Sequence, residues 1–173
     1  MATPNIVMTR VDERLIHGQG QLWVKSLGCN TVIVANDAVS NDKMQQTLMK
    51  TVIPGSVAMR FFPLQKVIDI IHKASPAQTI FIVIKDLADA LILVKGGVPI
   101  KELNIGNIHN APGKEQVTRS IYLDDKDKEI IRELSESYHV TFNTKTTPSG
   151  NDGAHEVNLL DYIQRIGEKE YGN

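Results

Sequence analysis

Several things are scarce in this chain, and each scarcity removes a class of function. There is one cysteine, Cys29, so no disulfide forms within the chain and no set of thiolates is at hand for zinc. No Cys-x-x-Cys or His-x-x-x-His spacing occurs, and no metal centre is expected. No segment approaches the roughly 18 consecutive apolar residues of a membrane-spanning helix. Met1 to Met8 hold no basic stretch leading into a long apolar one, so a secretory signal is not expected either. With 19 basic and 20 acidic residues the formal net charge is −1, and no surplus advertises nucleic acid or an anionic membrane. The P-loop pattern is missing. Gly18-x-Gly20 lacks the third glycine of the dinucleotide fingerprint and follows a histidine, so no nicotinamide, and no other cofactor, is expected. Trp23, the only tryptophan, and Cys29 both read as packing residues.

What remains is ordinary globular material: 173 residues, 42% apolar and 23% charged, enough for one domain spanning residues 1–173 with a sizeable core. Short apolar runs at 6–8, 31–35, 56–59 and 79–84 read as strands. The last of these is apolar throughout, as in a strand covered on both faces. Residues 103–105, 119–123 and 140–143 are shorter candidates. Between them Leu64, Val67, Ile68 and Ile71 recur at helical spacing. So do Leu87, Ala90, Leu91 and Val94, then Ile130, Ile131, Leu134 and Tyr138 behind an Asp124 N-cap, and finally Leu159, Leu160, Ile163 and Ile166. This alternation predicts an α/β fold, a three-layer α/β/α sandwich around a central, mostly parallel sheet. Residues 107–119, with Pro112 and Gly113, read as a rim loop, and 144–156, rich in Thr, Ser, Gly and Pro, as a flexible one.

The segment Arg10-Val-Asp-Glu-Arg-Leu-Ile-His-Gly-Gln19 carries the chemistry. If the first strand continues, Arg10, Asp12 and Arg14 fall on one side of it. His17 then sits where strand gives way to helix, with Gly18 and Gly20 letting backbone approach a ligand. Arginines fit phosphate oxygens, and a helix N-terminus offers free N–H groups. Histidine can carry a phosphoryl group covalently. Loops after the first strand of open α/β sheets are common phosphate sites. The alternative is an ion-pair ladder with a backbone-bonded histidine.

The same ten residues resemble the active-site signature of the IIB components of the mannose–fructose–sorbose family of the bacterial phosphoenolpyruvate-dependent sugar phosphotransferase system. Val34-Ala-Asn-Asp37, Leu64-Gln-Lys-Val-Ile-Asp69, Val94-Lys-Gly-Gly-Val-Pro99 and Asn104-Ile-Gly-Asn-Ile-His109 follow the family pattern in order. The last two, with Gly113-Lys114, look most like the N-acetylgalactosamine or galactosamine branch. Gly20 departs from the valine usual there, which bears on loop flexibility. The resemblance implies that His17 is phosphorylated on its pros nitrogen by a partner IIA protein or domain. The group then passes to a sugar presented by membrane IIC and IID components. The chain would work in the cytoplasm, peripherally associated with that permease.

On this reading Arg14 and Arg10 stabilise charge on the transferring oxygens, although Arg10 is equally suited to pairing with Asp12 or a distant carboxylate. Asp12 orients an arginine. Gly18, Gln19, Asp37 and Lys85 are candidates for supporting phosphate or the site, with helix capping the alternative for Asp37. Asp12, Asp37 and a backbone carbonyl are the candidate acceptors for the second ring nitrogen of His17. Gly106 is a candidate hinge for a loop closing over the site, and Asn107 and His109 are rim residues of open role. Two other functions fit a phosphate-binding rim. One is a non-catalytic regulatory domain holding a sugar phosphate. The other is a histidine-type phosphomonoesterase, whose motif places arginine directly before His-Gly, where this chain has Ile16.

Overall fold

The computed structural model describes residues 3–18, 20–150 and 156–164. The continuously apolar run Thr79–Ile84 (β4) is buried along nearly its whole length. Parallel neighbours flank it on each side, β1 (Asn5–Asp12) and β2 (Thr31–Ala35). Outside these lie β3 (Ala58–Phe62), β5 (Glu102–Asn107) and β8 (Thr141–Asn143), giving six parallel strands in the order β3-β2-β4-β1-β5-β8. Connections from β1 to β2 to β3 run toward one sheet edge, and those from β3 to β4 to β5 to β8 run toward the other. Parallel crossovers are right-handed, so a reversal of direction moves the helices to the opposite face.

The packing follows that rule. Helices α1 (Gly20–Leu27) and α2 (Lys43–Thr51) bring Trp23, Val24 and Met49 onto Val32, Val34, Phe81 and Val83. Helices α3 (Leu64–Ile70), α4 (Leu87–Lys95) and α5 (Asp125–Tyr138) bring Leu64, Val67, Leu87, Leu93 and Ile131 onto Ile33, Ile80, Ile82 and Ile84. Even-numbered and odd-numbered side chains thus sort to opposite faces, as a period of two requires. At the carboxyl end of β1 the chain leaves for the α1 face, while its neighbour β4 sends its connection to the other. Such a divergence opens a crevice. Among the described residues no helix is long and apolar enough to cross a membrane.

Some boundaries differ from the sequence reading. The run at 56–59 is displaced: Val57 N–H closes a turn on Pro54, and β3 starts at Ala58 and extends through two phenylalanines of the sheet edge. The expected loop 107–119 contains β6 (Glu115–Thr118), antiparallel to β7 (Ile121–Leu123). Its sequence, Glu-Gln-Val-Thr, is too polar and exposed to show an apolar alternation. Helix α2 went unseen because only Met49 of its nine residues is buried. Residues 144–150 form a turn in which Thr146 and Thr147 N–H groups donate to the Gly150 carbonyl; residues 151–155 lie outside the described residues. Asp124 caps α5 as expected, in a reciprocal box with Asp127. Residues 159–164 are helical, with Leu159 and Ile163 in the core; Ile166 lies outside the described residues.

Candidate active site

Burial along β1 runs against its hydropathy: Asn5 is exposed, Ile6 to Met8 are half-buried, and Thr9 to Asp12 are buried. A buried arginine and a buried aspartate persist only when fully paired, and here both are. The Arg10 Nη1 donates to Asn104 Oδ1 at 2.6 Å and to the Lys145 carbonyl at 3.1 Å, and Nη2 donates to Asp12 Oδ2 at 3.2 Å. Its guanidinium lies 5.0 Å from the centroid of the Trp23 ring, in cation–π range. A side chain at Gly106 would overlap that guanidinium, so β5 has a glycine where Arg10 passes. Asn104 is itself held, its Nδ2 donating to Asn143 Oδ1 at 2.6 Å and to the Lys145 carbonyl at 3.0 Å. Burial lowers the Arg10 pKa, against the raising effect of Asp12.

Asp12 is the hub. Its Oδ1 accepts from the Arg14 amide at 2.9 Å and Arg14 Nε at 3.1 Å. Oδ2 accepts from Arg10, from Arg14 Nη2 at 3.1 Å and from His17 Nε2 at 3.0 Å. Burial alone would push this carboxyl up. The hydrogen bonds from His17 and Arg14, the Arg10 charge and the Arg14 amide outweigh it and hold the pKa well below the usual carboxylate range. The strand stops at Asp12, so Arg14 reaches the cluster by folding back and not by strand alternation. Leu15 makes this turn with φ of +58°, a left-handed value that is uncommon for leucine, while burying its own side chain. The Leu15 N–H donates to the Asp12 carbonyl, and the His17 carbonyl accepts from Gly20 N–H at the start of α1.

An ionised carboxylate only accepts, so Nε2 of His17 carries a proton and, in the neutral ring, Nδ1 keeps the lone pair. Of the three candidate acceptors for the second ring nitrogen, the structure selects Asp12. The His17 side chain is 22% exposed and that of Arg14 40%, whereas that of Arg10 is 4% exposed. His17 and Arg14 are therefore reachable by a ligand, and Arg10 is not.

The remaining candidates divide. Gly18 has open space where a side chain would start, but the same position of Gly20 faces Ile16 and Ile53, so Gly20 serves packing. Gln19 lies outside the described residues, as does His155. Asp37 Oδ1 accepts from Leu64 N–H at the start of α3, the capping role. Among the described residues no hydrogen bond or ion pair joins Asp37 or Lys85 to Arg10, Asp12, Arg14 or His17. Both instead act on Asp89, whose pKa is pushed up to about 6 by burial and by Asp86 and Asp37, with Lys85 opposing. Gly106 is a slot for Arg10 and not a hinge. The Asn107 carbonyl accepts from Glu13 N–H, and His109 Nδ1 lies 2.9 Å from the Glu13 carboxylate, so both flank the Asp12 loop. His72 contacts the Gly97 carbonyl, and His139 ends α5 in the left-handed region. Among the described residues no cluster of three His, Cys, Asp or Glu side chains is placed to hold a metal ion. Trp23 does more than pack, and Asn104 and Asn143 were missed as site residues. The available signal was a polar Asn104 between Leu103 and Ile105 in a buried strand.

Residues 6–169 match the family described as PTS system sorbose subfamily IIB component. The N-acetylgalactosamine-specific phosphotransferase enzyme IIB component 2 of Escherichia coli is 51% identical over 76% of this chain and 84% of its own length. The sorbose-specific EIIB component of Klebsiella pneumoniae is 35% identical over 91% and 94%. In three dimensions, an N-acetylgalactosamine IIB component from Streptococcus pyogenes superposes with a TM-score of 0.89 at 70% identity, covering 94% of this chain and 99% of the other. The IIB domain of the Klebsiella pneumoniae sorbose permease gives 0.82 at 33%, over 93% and 97%. With a buried carboxylate gripping two arginines and one imidazole at the end of β1, and with these likenesses along nearly its whole length, the chain belongs to the sorbose subfamily of phosphotransferase-system IIB components.

Proposed function

We propose that this chain, acting as one IIB unit, carries a phosphoryl group on Nδ1 of His17 from a phosphorylated IIA partner to a sugar held by membrane IIC and IID components. The observation that carries this reading is the 3.0 Å contact between His17 Nε2 and Asp12, which leaves Nδ1 as the nucleophile. In the first transfer the phosphorus–nitrogen bond of the donor histidine breaks as one to Nδ1 forms. In the second, the sugar hydroxyl oxygen forms its bond to phosphorus as the Nδ1–phosphorus bond breaks, its proton passes to water, and the ring returns to the neutral form with the proton on Nε2. Phosphoryl transfer depends chiefly on positioning and electrostatics. Arg14 reaches the transferring oxygens, while Arg10 acts through Asp12 as a positioning residue and does not touch phosphate. A sugar of the N-acetylgalactosamine type is supported by the relatives' names. The chain serves from the cytoplasmic side, peripherally bound to the permease.

The test is intact mass after incubation with phosphoenolpyruvate, enzyme I, the histidine-containing carrier protein and a cognate IIA. The parent should gain one acid-labile phosphoryl group and His17→Gln none. Absence of any gain with a demonstrably active IIA would refute the carrier role and favour a regulatory sugar-phosphate site.

A further inference from the structure

Arg10, Asn104 and Asn143 stand in one row across three strands. Arg10 pairs in register with Asn104 between β1 and β5, and Asn104 with Asn143 between β5 and β8, so the three side chains leave the sheet on the same face. The polarity of the row is set from its outer end. The Glu102 carboxylate accepts from Asn143 Nδ2 at 2.7 Å, and the Lys145 N–H donates to Asn143 Oδ1 at 3.2 Å. Asn143 therefore turns its oxygen toward Asn104. That oxygen and the Lys145 carbonyl can only accept, so the Asn104 amide turns its nitrogen to them and its own oxygen to Arg10.

Arg10 needs that fixed oxygen. The Trp23 ring and the backbone at Gly106 confine its guanidinium to a slot, yet a flat group in a slot can still turn in its own plane. Its bond to Asn104 is 2.6 Å, against 3.2 Å to Asp12. Asn104 and the Lys145 carbonyl thus occupy Nη1 and leave Nη2 for Asp12. Released from that anchor, the guanidinium would favour the two-pronged grip that arginine makes on a carboxylate. Asp12 Oδ2 already accepts from Arg10, Arg14 and His17, so a second prong would compete with His17 Nε2.

We propose that Asn104, oriented by Asn143, is a positioning residue for phosphoryl transfer. By holding Nη1 of Arg10 it limits that arginine to one bond at Asp12, which keeps His17 Nε2 bonded there and the lone pair on Nδ1. This inference rests on the carrier reading of His17 and adds two residues that act on the imidazole only through Arg10 and Asp12. Neutrality suits asparagine to the position. An aspartate would claim the guanidinium for itself and could not donate to Asn143 or to the Lys145 carbonyl. The short edge strand β8 thereby gains a function, which is to carry the residue that orients Asn104.

The experiment compares the parent with Asn104→Ala, Asn143→Ala and, as a control, Asp124→Ala, which loses the cap of α5. Initial rates of His17 phosphorylation against the concentration of phosphorylated IIA separate the limiting rate from apparent KM. Nitrogen-15 spectra of the histidine rings, with His17 assigned through His17→Gln, report which ring nitrogen carries the proton. Far-UV circular dichroism and thermal melting verify folding. Misplacing reacting groups by about 1 Å costs about 100-fold, so Asn104→Ala should lower the limiting rate by about tenfold or more. Its apparent KM should stay within about twofold of the parent, because docking is untouched. Asn143→Ala should show the same split to a smaller degree. In both, the neutral His17 ring should move from the Nε2–H form toward a mixture of the two tautomers. Asp124→Ala should keep the parental limiting rate and ring spectrum, which separates positioning from a general loss of stability. A parental limiting rate in whichever of the two asparagine variants folds would overturn the proposal. So would a lowered rate with an unchanged ring spectrum, or a raised KM at the parental limiting rate. No phosphorylation of the parent by a demonstrably active IIA would instead overturn the carrier reading.

Discussion

Replacing Asp12 by asparagine preserves the shape of the side chain and removes its charge and half its accepting capacity. In the parent, Oδ1 accepts two N–H groups and Oδ2 three. Whichever way the new amide is turned, its NH₂ group meets at least two of those donors head on. Arg10 meanwhile stays buried without its counter-charge. Removing one partner of a buried ion pair costs about 3–5 kcal/mol, a large share of the roughly 5–15 kcal/mol that holds a domain folded. For a chain of this size each kcal/mol lowers Tm by about 2–4 °C, so Asp12→Asn should melt some 6–20 °C below the parent. The effect also has a pH signature. The Asp12 carboxyl is held below its unfolded value of about 3.9, so its contribution is complete above about pH 4 and is lost as pH falls through the folded pKa. The parent should therefore lose stability below about pH 4, and the variant should show a shallower acid limb. Urea titrations followed by circular dichroism at pH 7, and in steps from about pH 5 to 2.5, measure both. A loss under about 1 kcal/mol at pH 7 together with an unchanged acid limb would refute the hub assigned to Asp12.

Other outcomes follow from the same geometry. Arg14→Ala should leave the fold intact and slow phosphoryl transfer more than tenfold, since losing a donor to developing charge costs about 2.7–4 kcal/mol; an unchanged rate in quench-flow would remove Arg14 from the mechanism. Gly106→Ala should displace the Arg10 guanidinium and lower stability by about 1–3 kcal/mol, with phosphorylation of His17 slowed in parallel; a parental melting curve would show that Arg10 has room to move. Asp124→Ala, which removes the cap of α5, should cost about 1 kcal/mol in urea titration and leave phosphorylation kinetics unchanged, separating stability from chemistry.

The strands at 31–35 and 79–84 were legible to the residue, because covered strands are apolar on both faces and end abruptly. The grouping of Arg10, Asp12, Arg14 and His17 was also legible, since they lie within eight residues of one another, but the turn at Leu15 that brings Arg14 back onto Asp12 was not. Most of what stayed hidden has a common cause: the partner comes from far away in the chain. Arg10 meets Asn104 across 94 positions and the Lys145 carbonyl across 135, and no local pattern reports such a contact. Gly106 looked like a hinge for the same reason, as only the folded sheet shows a guanidinium lying against it. Helix α2 escaped because only Met49 of its nine residues is buried, which leaves too few core positions to mark a helical face.

The tether between His17 Nε2 and Asp12 bears on how traffic is scheduled. On the carrier reading proposed for His17, a ring pinned at one nitrogen offers the other along a single line of approach, so donor and acceptor would queue for it. A donor that lingers after unloading keeps the sugar side waiting. Raising IIA abundance should first speed uptake and then slow it, with the peak set by how fast the spent donor departs. Sugar flux then becomes tunable by stoichiometry alone, with no effector molecule needed.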